Sequence, residues 1–193
     1  MERKETIFHA ATRLFADKGY KETSMSEVAK LTGVAQGTIF YHFKSKEDLF
    51  LAILEEFKSN VNDEFEKWVN NHSFSNGLDM LESALDFYLY LASIMEDRFM
   101  ILYRHDAYEL ALHNPIFGQY LESIYDHLVD IFEKAIISGR NDGSIADVSP
   151  KKNAMLIFTM VDGLVRFNTY KLYDAGTLYD ELVKACRKIL TQT

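Results

Sequence analysis

The chain has 193 residues, 48% hydrophobic and 26% charged, which suits one large globular domain or two smaller ones. Its single cysteine, Cys186, excludes an intramolecular disulfide or multi-thiolate zinc site and fits a reducing, cytoplasmic setting; no apolar run approaches membrane-spanning length and no secretory leader is read. The formal net charge of −8 does not exclude DNA, because the acid is unevenly spread: residues 51–193 hold 13 basic and 22 acidic side chains, residues 1–50 hold 8 and 7.

With only 2 Pro and 9 Gly there is little to interrupt helices, and an all-α chain is expected. Ile7, Ala10, Ala11, Leu14 and Phe15 form an apolar stripe that predicts a helix over residues 2–18, stopped by Gly19. In "SMSE", Ser24 is spaced to cap a second helix and Glu27 to reciprocate; that helix is expected to bury Val28, Ala29 and Leu31 and to end at Gly33. A tight turn leads to a third helix over 36–43. Ser45 caps a long fourth helix, reaching about Val69, with Leu49, Phe50, Ile53, Leu54, Phe57, Val61 and Phe65 along one stripe. Residues 70–77, "NNHSFSNG", read as a loop. Helices follow over 78–96, 98–113, 115–138, 150–173 and 177–190, with Pro115 and Pro150 suited to first turns. The expected architecture is about nine helices, three in an N-terminal head and six in a C-terminal bundle. It is expected to divide into an N-terminal part, 1–61, with a two-helix motif at about 24–43, and a C-terminal part, 62–193.

The segment "GVAQGTIFYHFKSKEDL", residues 33–49, is unusually rich in rings for so short an element. Helix, glycine turn, helix is the layout of a helix-turn-helix, whose second helix enters the major groove. Ile39 and Phe43 are spaced to point inward. Gln36, Thr38, Phe40, Tyr41 and His42 then face outward, rings toward sugars and thymine methyls and polar tips toward phosphates or base edges, and Gly37 leaves room for a DNA backbone.

On "ATRLFADKGY", "TSMSEVAKLTGVAQGTIFYHF" and "KSKEDL" the chain resembles the TetR family of bacterial transcriptional regulators over its first quarter. The resemblance implies that Gln36, Thr38, Tyr41 and His42 touch the operator, that Lys46 meets a phosphate, and that Thr23 and Ser24 meet phosphate at the start of the second helix. Two positions depart from the pattern: Ala35 stands where a capping Ser or Thr is common, and Phe40 where Tyr is common.

Residues 153–173 are apolar around most of the circumference of a helix: Met155, Ile157, Phe158, Met160, Val161, Leu164, Val165 and Phe167. Such a helix must be covered on nearly all sides, and one side facing its own core with the other facing a partner is expected, beside the alternative of a fully buried central helix in a monomer. The resemblance likewise implies a homodimer through the last two helices, a segment beginning near Asn153 and ending near Leu190. The middle helices are aromatic, and the resemblance implies a small-molecule effector pocket within them; Phe87, Tyr88, Phe99, Tyr103, Tyr120, Phe158, Asp162 and Arg166 are its candidates, beside the alternative that these rings are simply core. His105, Glu109 and His113 are spaced i, i+4, i+8 and are candidate metal ligands, the alternative being an exposed His–Glu face. No glycine-rich phosphate loop, G-x-S-x-G or HExxH is present, so no enzymatic activity and no cofactor are expected. The reading is a homodimeric regulator of double-stranded DNA, a repressor released from a palindromic operator by a hydrophobic or aromatic effector, with a helical metal-binding protein or enzyme as the alternative.

Overall fold

Ten α-helices and one 3-10 turn form the regular structure of the computed structural model over its described residues, 3–191, and no strand occurs among them. In chain order they are α1 (Arg3–Lys18), α2 (Met25–Thr32), α3 (Gln36–His42), α4 (Lys46–Asn71), α5 (Gly77–Ile94), α6 (Glu96–Tyr103), α7 (His105–His113), α8 (Pro115–Asp142), α9 (Pro150–Thr169), the 3-10 turn (Ala175–Leu178) and α10 (Tyr179–Thr191). The expected start of the first helix at Glu2 lies outside the described residues. The fold is all-α, as the scarcity of breakers predicts.

Three elements differ most from the sequence expectation. The single helix expected over 98–113 is two, α6 and α7, because Arg104 adopts an extended backbone (φ −76°, ψ 140°) between them. Its guanidinium Nη1 donates to the Ala16 and Asp17 carbonyls at 2.9 and 3.1 Å. These are C-terminal carbonyls of α1, which lack intrahelical partners and sit at the negative end of the helix dipole, so a cation is favoured there. Helix α8 runs past the expected stop at Ser138 to Asp142. Asp142 Oδ2 accepts the Gly77 N–H at 2.6 Å, and a Cβ on Gly77 would fall 1.9 Å from the Gly139 nitrogen, so α5 begins against bare backbone of α8. Helix α9 stops at Thr169, four residues short of the expected end, and Lys171 takes a left-handed turn (φ 54°).

The chain divides into two compact units. The first holds residues up to Ser59 together with Met95–Ile124; the second holds Asn60–Ile94 together with residues from Tyr125 onward. In the first unit, Ile7, Ala11, Phe15, Val28, Ile39, Leu49, Phe50, Ile53, Phe57 and Phe99 are buried. Its centre is aromatic: Phe15, Tyr20 and Phe117 each approach Phe50 with ring centroids 5.0, 5.0 and 5.6 Å away. In the second, Leu81, Leu85, Tyr88, Leu128, Phe132, Ile136, Ile157, Val161, Cys186 and Leu190 form the core. The side chains of Trp68 and Ser83 are joined there by an indole N–H donated at 2.9 Å.

Candidate nucleic-acid interface

Local chemistry sets α2 in place. Ser24 has an extended backbone, its hydroxyl accepts the Glu27 N–H at 3.2 Å, and the Glu27 carboxylate accepts the Ser24 N–H at 2.9 Å. This is the reciprocal cap that the spacing predicts. The Lys18 ammonium donates to the same carboxylate at 2.6 Å; that bond, followed by those from Ser24, holds the Glu27 pKa down at about 2. Met25 and Val28 are the buried residues of α2. Leu31, expected in the core, is instead 57% exposed, because eight residues of helix offer only one narrow buried stripe and Leu31 lies off it.

Helix α3 has seven residues and no side-chain cap from Ala35, so nothing local stabilises it beyond one hydrogen-bonded turn or two. Packing holds it. Ile39 is completely buried and Phe43 nearly so, and the Phe43 N–H closes the helix on the Ile39 carbonyl at 2.9 Å. The other face looks into solvent: Tyr41 is 84% exposed and Phe40 43%, Gln36 and Gly37 are exposed, and Thr38 and His42 are half-buried. The Tyr41 and His42 rings meet edge to face at 5.2 Å. A Cβ on Gly37 would meet nothing within 4 Å, so the position faces open space. An amide, two hydroxyls, an imidazole and two rings thus line one short outward element, a set able to bond phosphates and base edges and to pack on sugars and methyl groups.

Two residues expected at phosphate are engaged elsewhere. Thr23 is 1% exposed, and its hydroxyl donates to the Gly19 carbonyl at 2.7 Å and the Leu14 carbonyl at 3.2 Å, so its side chain does not reach an outside partner. The Lys46 ammonium is turned into the protein. It donates to the Tyr20, Thr23 and Lys21 carbonyls at 2.7, 3.0 and 3.4 Å and lies 4.3 Å from the Tyr20 ring centroid. Burial pushes its pKa below the ordinary lysine value, with the Asp106 and Glu22 charges opposing. Ser24 stays exposed, but its hydroxyl already serves the cap.

Nothing in the sequence pattern marks Arg104 or Asp106. The two side chains lie 3.7 Å from each other, but their hydrogen bonds to Ala16, Asp17, Tyr20 and Lys21 go to backbone groups more than eighty residues away, and no side-chain pattern signals such bonds.

The eight effector candidates fall in both units. In the second unit, the Tyr88 hydroxyl donates to Asp162 Oδ1 at 2.8 Å, the Tyr88 and Phe158 rings meet at 5.8 Å and 88°, and Arg166 Nη2 lies 3.8 Å from Asp162 Oδ2. Phe87, also there, packs on Phe65 and Trp68, at 5.3 and 5.5 Å. In the first unit, Phe99 packs on Phe57 and Tyr103, at 5.5 and 6.1 Å, and Tyr120 is half-buried. Of the eight, Tyr88, Phe158, Asp162 and Arg166 form one linked group in the second unit, and Phe99 and Tyr103 a pair in the first.

His105, Glu109 and His113 do not form a metal site. Positions i and i+8 of a helix stand about 12 Å apart along its axis, whereas metal–nitrogen bonds are about 2 Å. Lys21 Nζ binds Glu109 at 2.5 Å, and that contact, ahead of His105 and His113, lowers the Glu109 pKa. Among the described residues no group of three His, Cys, Asp or Glu side chains is placed to hold a metal ion. No helix among them is long and apolar enough to cross a membrane.

Residues 7–53, which contain the whole of this site, match the profile of the bacterial regulatory proteins of the tetR family. The HTH-type transcriptional regulator AcrR of Shigella flexneri is 45% identical over 60 residues, 31% of this chain and 28% of the relative, so the likeness spans less than a third of that protein. The uncharacterised HTH-type transcriptional regulator YfiR of Bacillus subtilis is 26% identical over 175 residues, 88% of this chain and 81% of the relative. The fold matches the transcriptional regulator FadR of Bacillus subtilis, solved in complex with stearoyl-CoA, with a TM-score of 0.76 and 21% identity over 94% of this chain and 96% of that one.

Proposed function

We propose that this chain, which belongs through its residues 7–53 to the TetR family of bacterial regulatory proteins, is a cytoplasmic DNA-binding transcriptional regulator that responds to a small-molecule ligand. The observation that carries the reading is α3: Ile39 and Phe43 are spent on anchoring it, while Gln36, Gly37, Thr38, Phe40, Tyr41 and His42 lie on its accessible side. A surface that binds nothing gains no stability from Tyr41 standing 84% exposed. These six residues read the operator, and residues 1–61 form the DNA-binding part.

Residues 62–193 bind effector and dimerise. Two recognition helices about 34 Å apart are needed to enter successive major grooves on one face of DNA, so the active form is a two-fold dimer that binds a palindrome. Helix α9 supports this. Ala154, Ile157, Val161 and Val165 are buried on one side, while Leu156, Met160, Gly163 and Phe167 form a second stripe on which Leu156 and Phe167 are exposed. A second apolar stripe suits a second copy of the chain. The effector is hydrophobic or aromatic; the linked rings of Tyr88 and Phe158 beside Asp162 and Arg166 support that class, as does the stearoyl-CoA bound by the FadR relative. An effector that prefers a conformation with a different spacing of the recognition helices weakens DNA binding by that preference, and a hundredfold release needs about 2.7 kcal/mol of differential binding.

Selection from random duplex DNA at physiological salt tests this. An enriched inverted repeat with half-sites one helical turn apart is expected, with affinity falling steeply as salt rises. A folded dimer that enriches no sequence, alone or with cell extract added to supply an effector, overturns the proposal.

A further inference from the structure

The loop between α1 and α2 is gripped by two opposite charges, both within the first unit. On one side Asp106 Oδ2 accepts the backbone N–H of Tyr20 in a short bond and that of Lys21 at 3.3 Å. On the other, the Lys46 ammonium donates to the carbonyls of Tyr20, Lys21 and Thr23. The peptide dipoles of the loop therefore lie with their N–H ends on a carboxylate and their C=O ends on an ammonium, the favourable sense for both charges. Gly19 makes the grip possible. It has φ +90°, and a Cβ there would stand 2.5 Å from Asp106 Oδ2. Arg104 caps the end of α1, and the Thr23 hydroxyl closes the loop from inside through the Gly19 and Leu14 carbonyls.

This loop leads directly into Ser24, which starts α2, and α3 follows α2 after a three-residue turn. Its conformation sets the direction in which both helices leave α1. We infer that Asp106 and Lys46 are positioning residues for DNA recognition: they fix the α1–α2 loop from opposite sides and thereby orient α3, and Lys46 does this in place of a phosphate contact. The inference rests on the DNA-binding reading. Two features separate it from simpler alternatives. An acidic side chain that is a bystander in a DNA-binding head weakens DNA affinity by repulsion, so its removal strengthens binding or changes nothing. A lysine that contacts phosphate releases a counterion, so its removal lowers the salt slope of log affinity by about 0.9.

The test uses the full chain, with wild type, Asp106→Ala, Asp106→Asn and Lys46→Met titrated at several salt concentrations against the duplex selected by wild type. Helix content is checked by circular dichroism at the titration temperature. The expected result is a loss of about tenfold or more for Asp106→Ala and Lys46→Met with an unchanged salt slope, and partial recovery in Asp106→Asn, whose amide oxygen still accepts from the loop. A readout that needs no DNA accompanies it: amide hydrogen exchange at Tyr20 and Lys21 is faster in Asp106→Ala and less so in Asp106→Asn. Unchanged or stronger binding by Asp106→Ala, or a salt slope reduced by about one in Lys46→Met, overturns the positioning roles and leaves the DNA-binding reading standing. Wild type that binds no duplex overturns both.

Discussion

Tyr41 and Ile39 stand two positions apart on α3 and face opposite ways, so truncating each isolates one half of the site's design. Tyr41 is 84% exposed; Tyr41→Ala removes almost no buried surface, and alanine is the better helix former. Its expected effect on stability is within about 0.5 kcal/mol. Ile39 has no exposed surface; Ile39→Ala leaves a cavity under a seven-residue helix and should cost about 2–5 kcal/mol. For DNA the order is different. Loss of the Tyr41 ring and hydroxyl should weaken binding to the selected duplex about ten- to hundredfold, or about 1.4–2.7 kcal/mol, in a protein as stable as wild type. Urea unfolding followed by circular dichroism gives the first quantity, and fluorescence-anisotropy titration at two salt concentrations gives the second. Wild-type affinity in Tyr41→Ala would refute the assignment of this face to DNA. A stability loss near 2 kcal/mol in the same variant would refute the claim that the ring is free.

Three further outcomes are expected. The Glu27 pKa is depressed from 4.5 to about 2 by Lys18 and Ser24, so its stabilisation of the folded state is full above the unfolded value and disappears as pH falls from about 4.5 toward 2; the stability gap between wild type and Glu27→Gln, followed by urea unfolding across that window, should close on the acid side. Tyr88→Phe removes the hydroxyl donor to buried Asp162 and should cost about 1–3 kcal/mol by thermal unfolding, whereas no change would mean that Asp162 has no need of it. Burial, with Glu82 adding, pushes the Cys186 thiol up to about 11, so native protein at neutral pH should resist iodoacetamide and react once urea unfolds it; rapid native alkylation would contradict the packing of α10.

Local chemistry is legible along the chain. Ser24 and Glu27 cap α2 because the partners are three residues apart, and any chain with that spacing closes the same small ring of bonds. Ile39 and Phe43 fall inside and Phe40 and Tyr41 outside because the 3.6-residue period assigns faces before any packing occurs. The all-α fold and the extent of the helix-turn-helix were readable on the same grounds. Tertiary structure decided whatever depends on a distant group. The break at Arg104 has no proline or glycine to announce it; α1 creates it by offering unpaired carbonyls to the guanidinium. Lys46 looks like any lysine at the start of a helix until the loop at Tyr20–Thr23 folds three carbonyls around it. Leu31 reads as core by composition and is exposed because a short α2 has one buried stripe. His105, Glu109 and His113 share a face by spacing, yet helix length separates the outer two, and Lys21, from the other end of the sequence, takes the carboxylate between them. Periodicity is a property of neighbours along the chain. The partner of a charge is a property of neighbours in space, and only the folded chain brings those together.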